Sequence, residues 1–78
     1  MELDPEEIKL LTCLAEEWQN NGPPGYLETS VLAEKMNLSV AKTKTAIHSL
    51  FVKGLVGTDE KEHYAAYLTP EGYERAQN

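Results

Sequence analysis

Asn37, Leu38 and Ser39 leave the chain three residues in which to turn between two segments that both read as helices. Before the turn, "ETSVLAEKM" reads as a short helix, capped by Thr29 or Ser30, with Val31, Leu32 and Met36 as its apolar contacts. Asn37 follows. After glycine, asparagine is the residue best able to hold the left-handed backbone that ends a helix. Leu38 then offers an apolar contact, and Ser39 can cap a further helix. A link this short fixes the two helices against each other, the spacing of a helix-turn-helix.

The helix after the turn spans about residues 40–53. With Ile47 set at zero, Val40, Thr43, Leu50 and Phe51 fall within about 60° of it and form the expected core stripe. Ala41, Lys42, Thr45, His48, Ser49, Val52 and Lys53 lie away from that stripe, and Lys44 lies at its border. Gly54 closes the helix. Upstream, "LDPEEIKLLTCLAEEWQNNGPPG" predicts a first helix with Asp4 as cap, Pro5 in the first turn and Glu7 at capping-box spacing. Ile8, Leu11, Leu14, Ala15 and Trp18 mark its apolar stripe, and Gly22 with the two prolines stops it. Tyr26 and Leu27 leave room for a short extended piece. Downstream, "LVGT" and "HYAAYLT", separated by "DEKE", predict a two-stranded β-hairpin. Thr69, Pro70 and Glu71 open a last short helix.

Charge is segregated along this plan. The chain of 78 residues carries a net −6. Lys35, Lys42, Lys44 and Lys53 lie between residues 35 and 58, where there is no carboxylate, which leaves −10 for the remainder. An acidic balance opposes indiscriminate binding to nucleic acid or anionic membranes, whereas the clear segment would not repel a polyanion. Seventy-eight residues form one domain with a small core. No apolar run reaches the ~20 residues of a membrane span. "MELDPEE" has no apolar export core and Cys13 is the lone cysteine, so the expected setting is the reducing cytoplasm.

"LAEKMNLSVAKTKTAIHSLFVKGLV" resembles the helix-turn-helix of winged-helix transcription regulators of the MarR type. The matching residues are Leu32-Ala33 on the first helix, Leu38-Ser39 at the turn, Leu50 late in the second helix, and Gly54-Leu55-Val56 leading to the wing. "YLTPEGYERA" resembles the wing's return strand and the helix after it; together the likeness covers about residues 27–76. It implies one α+β winged-helix domain over residues 1–78: a three-helix core with the helix-turn-helix, a two-stranded β-hairpin wing and a short C-terminal helix. The implied function is sequence-specific binding of double-stranded DNA by a small transcription regulator, with the recognition helix, about 40–53, in the major groove. Lys42 and Lys44 would meet phosphates, while Ser39, Ala41, Thr45, His48 and Ser49 would meet the backbone or base edges. The implied assembly is a homodimer through the first and last helices, with two recognition helices about 34 Å apart. Two departures stand out: Asn37 replaces the glycine common at this turn, and the wing tip Asp59-Glu60-Lys61-Glu62 is acidic where Arg or Lys is usual.

Other readings compete. The same fold can serve as a protein-interaction module whose acidic surface meets a basic partner, or as a DNA mimic if its carboxylates are spaced like phosphates. His48 can touch DNA, sense pH or be merely solvated. His63 with Glu60 offers two metal ligands, whereas a site needs three or four, so no metal or cofactor is expected. Cys13 lacks the positive surroundings of a reactive thiol and reads as a helix or dimer contact. Tyr64, Tyr67 and Tyr73 read as packing around the hairpin and last helix. There is no nucleophile–base pair and no phosphate-cradling loop, so catalysis is not expected.

Overall fold

A computed structural model describes residues 2–59 and 61–77. The elements run α1 (Pro5–Asn21), β1 (Leu27–Glu28), α2 (Thr29–Met36), α3 (Val40–Val52), β2 (Val56–Thr58), β3 (Ala65–Leu68) and α4 (Pro70–Gln77). The fold is α+β, a winged helix of four helices and an antiparallel sheet in the order β1-β3-β2. The expected hairpin forms as β2 and β3, and the short strand β1 joins it in one sheet. Leu27 pairs with Ala66 and Glu28 with Ala65, so the short extended piece after the prolines closes the free edge of the hairpin.

The expected caps explain where most helices begin and end. At α1, the Glu7 N–H donates to Asp4 Oδ1 at 2.9 Å and the Asp4 N–H to Glu7 Oε1 at 3.0 Å, a reciprocal capping box. The Gly22 N–H closes the far end on the Trp18 carbonyl. Asn37 holds φ 56° and ψ 45°, and the Leu38 N–H reaches back to the Ala33 carbonyl at 3.0 Å. The Ser39 hydroxyl accepts from the Lys42 N–H at 3.1 Å and starts α3. The cap of α2 differs from the sequence reading. Glu28 holds the cap position with no side-chain bond, and the Thr29 hydroxyl donates instead to the His63 carbonyl in the wing. Because Asn37 alone lets the chain reverse here, Asn37→Ala should destabilise by about 1 kcal/mol, while Asn37→Gly should stay within a few tenths, as measured by urea unfolding.

The core is built from Leu10, Leu11 and Leu14 of α1, Leu32 and Met36 of α2, Ala46, Ile47 and Leu50 of α3, and Val56, Ala66 and Leu68 of the sheet. Three members of the expected stripes prove marginal. Ile8 and Val40 are about half exposed, at 49% and 45%, and Val31 is 38% exposed. On α1 the seam is centred on Leu10, Leu11 and Leu14, about 100° per residue around from Ile8. Glu7 shares that seam, and a carboxylate there disguises where its centre lies. On α3, Ala46 is buried although it lies outside the expected stripe, and Phe51 is half-buried.

α4 packs on α1 within the same chain. The Trp18 and Tyr73 rings stack at 4.5 Å and 17°, and Gln19 Nε2 donates to the Tyr73 hydroxyl at 3.4 Å. The three C-terminal tyrosines therefore form no single cluster: Tyr73 serves this helix pair, Tyr67 lies across Gly57, and Tyr64 is 65% exposed on the wing. Among the described residues no helix is long and apolar enough to cross a membrane.

Candidate nucleic-acid interface

The helix-turn-helix presents α3 with its core side, Thr43, Ala46, Ile47 and Leu50, turned inward. The opposite line is Ala41, Thr45, His48 and Val52, all exposed. Ala41 and Thr45 are small, and the Thr45 hydroxyl is turned back onto the Ala41 carbonyl at 3.1 Å. The strip between them is therefore shallow enough for a groove floor to approach. Lys42 is exposed on one flank beside the helix start, where four backbone N–H groups and the positive end of the helix dipole lie. Ser39 sits at that same end, with its hydroxyl engaged by the Lys42 N–H.

The remaining expected contacts are drawn elsewhere. Ser49 is half-buried on the α1 side, where its hydroxyl donates to Glu7 Oε2 at 2.7 Å. Lys53 Nζ donates to the same oxygen, also at 2.7 Å. Glu7 thus ties α1 to the far end of α3. Burial alone would raise its pKa, but the Lys53 ammonium, the Asp4 N–H and the Ser49 hydroxyl together hold the carboxyl below the usual range. Ser49 positions α3; it does not lie on the outward line.

The wing closes on the other flank. Lys44 is half-buried, with Nζ 5.4 Å from the centre of the Tyr64 ring, within reach of a cation–π contact. His48 Nδ1 lies 3.3 Å from His63 Nε2. His63 stands at φ 54°, a left-handed backbone unusual for a side chain. The turn that holds it is organised by Asp59, whose carboxylate accepts the N–H groups of Tyr64 at 2.7 Å, Glu62 at 3.2 Å and Ala65 at 3.4 Å. Loss of solvation would raise its pKa, but the backbone donors of Tyr64, Glu62 and Ala65 together keep the Asp59 carboxyl below its usual range. The Asp59 charge is thus occupied in building the turn. Glu60, and with it the His63–Glu60 pairing, lies outside the described residues.

Cys13 is half-buried and away from this face. Burial and then Glu16 push its thiol up, against Lys35 and Lys9, so thiolate chemistry is disfavoured.

The arrangement brings together Ser39, Ala41, Lys42 and Thr45 at the open end of α3. It places Lys44 and His48 against the wing and sends Ser49 to α1. Tyr64 and His63 as wing partners of α3 were not read from sequence. No sequence signal marked them: Ala65 and Ala66 are both buried, which breaks the alternation from which a strand's outward residues are read.

No protein-family model matches the chain, and no curated protein matches it by sequence. The fold is shared with the crystal structure of a protein from Ralstonia eutropha JMP134 described as a candidate DNA-binding protein. The two superpose with a TM-score of 0.77 and 24% sequence identity, over 97% of this chain and 95% of the other.

Proposed function

We propose that the chain binds double-stranded DNA, with the N-terminal half of α3 in the major groove. The observation that carries the reading is the outer strip of α3: small exposed side chains at Ala41 and Thr45, an exposed lysine at the helix start, and no carboxylate from Lys35 to Thr58. Ala41 supplies a methyl for thymine, Lys42 a phosphate contact, and Ser39 with the first α3 amides a second. Lys44 reaches a phosphate from the wing side, steadied by Tyr64. The fold shared with a candidate DNA-binding protein agrees with this use. Action as a transcription regulator, and as a homodimer reading a two-fold site, extends the proposal. Part of the α1 and α4 surface expected at that interface is taken up by their own Trp18–Tyr73 stack, which leaves Ile8 and its neighbours for a partner copy.

Anisotropy of a labelled mixed-sequence duplex tests it. With two lysine–phosphate contacts per chain, affinity should fall roughly tenfold between 50 and 200 mM salt. Lys42→Glu should weaken binding by at least another tenfold without changing the urea midpoint. Binding that is absent at low salt, or indifferent to Lys42→Glu, contradicts the proposal. It then favours the second reading, a module whose carboxylates meet a basic protein, for which the −10 outside residues 35–58 speaks.

A further inference from the structure

The contact between α3 and the wing is made by two imidazoles whose ring nitrogens face each other. His63 Nδ1 lies 2.9 Å from the Asp59 carbonyl oxygen. A carbonyl can only accept, so Nδ1 carries the proton, and in the neutral ring Nε2 presents a lone pair. That lone pair faces His48 Nδ1 at 3.3 Å, with the ring centres 5.4 Å apart and the planes tilted by 36°. With metal–nitrogen bonds of about 2.05 Å and tetrahedral angles, two imidazole nitrogens on one ion lie about 3.3 Å apart and their ring centres about 5.2 Å apart. The pair is therefore spaced as two ligands of a single ion, without movement of either element. His63 also has the outer partner typical of a metal-binding histidine, an N–H given to a backbone carbonyl that fixes tautomer and ring direction. Its positive φ, held by the Asp59 turn, aims the ring at α3.

The geometry points to a two-histidine site for a divalent transition ion, Zn²⁺ being the type case, formed by His48 Nδ1 and His63 Nε2 and clamping the wing onto α3. Among the described residues no group of three or more His, Cys, Asp or Glu side chains could hold an ion, so the site offers two protein ligands where a structural zinc site has four, and water would complete the coordination. His48 binds as the tautomer with its proton on Nε2, which frees Nδ1. Lys44 and Asp59 are charged residues four positions before His48 and His63 respectively. Neither supplies a free ligand: one is a cation over Tyr64, and the other's carboxylate is held by backbone amides. With half the ligands of a structural zinc site, the dissociation constant should be on the order of 10 µM. The site does not depend on the DNA reading, since its test contains no DNA.

The test is calorimetric titration of ZnCl₂ into the chelator-treated full chain, paired with NMR of the histidine ring nitrogens. The expected result is one ion per chain near 10 µM at pH 7.5, shifts at His48 Nδ1 and His63 Nε2, and a melting temperature that rises with zinc. His48→Gln, and His63→Asn, which tolerates the left-handed backbone, should each weaken binding at least tenfold. No binding at 1 mM zinc overturns the assignment, as does undiminished binding in either variant.

Discussion

Gly72→Ala should lower stability by about 3 kcal/mol, the upper part of the range for overpacking. In a chain of this size that is a fall of roughly 12–24 °C in melting temperature. Gly72 is buried in the first turns of α4, where the helix backbone crosses the turn before β2. A Cβ added there would overlap the Leu55 carbonyl oxygen and lie 2.9 Å from its carbon and 3.1 Å from Leu68 Cδ2. The first two are backbone atoms and cannot swing aside. The same carbonyl accepts the Thr69 N–H at 3.3 Å, and the Thr69 hydroxyl donates to the Gly54 carbonyl at 2.9 Å while accepting from Gly72 N–H at 3.0 Å. Lifting α4 to admit the methyl therefore breaks its cap and pulls Tyr73 off Trp18. Thermal unfolding followed by circular dichroism, with Trp18 fluorescence reporting the stack, measures both. A melting temperature within a few degrees of the parent would refute the close approach.

Glu7→Ala should cost about 3 kcal/mol, by a different route. One carboxylate serves the α1 capping box, the Ser49 hydroxyl and the Lys53 ammonium. Removing it deletes two charge-assisted bonds and half of a cap. Breaking a buried pair costs about 3–5 kcal/mol when the survivor stays buried. Lys53 is 27% exposed and can turn to water, which places the cost at the low end of that range. Glu7→Gln, which keeps the amide acceptor but not the charge, should lose about half as much. The pH dependence follows from the lowered carboxyl. Its contribution is complete above the unfolded value of about 4.5 and disappears as pH falls through the lower folded value. Urea unfolding from pH 7 to pH 3 should therefore lose this increment on the acid side in the parent and show a smaller loss there in Glu7→Gln.

The turn residues were legible because each signal is local. Asn37 must be left-handed, Ser39 must cap, and Asp4, Pro5 and Glu7 specify a helix start without reference to anything distant. The core side of α3 was largely legible for the same reason, since Thr43, Ile47 and Leu50 recur at helical spacing. Glu7 was read for its local role and hid its distant one. Its partners, Ser49 and Lys53, lie 42 and 46 residues away, and no periodicity announces a pairing across that interval. This is why Ser49 looked available to DNA. His48 and His63 are separated in the same way by the wing. The short extended piece at Leu27 was legible but its place in the sheet was not, because two residues are too few to alternate; their pairing is set by Ala65 and Ala66 across the sheet.

The central claim is that the open end of α3 meets DNA, and the most direct measurement is an amide-resolved NMR titration of the labelled chain with a short mixed-sequence duplex. The account predicts that shifts concentrate from Ser39 to Thr45, with smaller ones at Lys44's wing neighbour Tyr64. They should fade as salt rises, because phosphates supply most of the attraction. Ser49, held by Glu7, should move little. Shifts confined to the acidic faces of α1 and α4, or no shifts at low salt, would contradict it and leave the helix-turn-helix as scaffold alone.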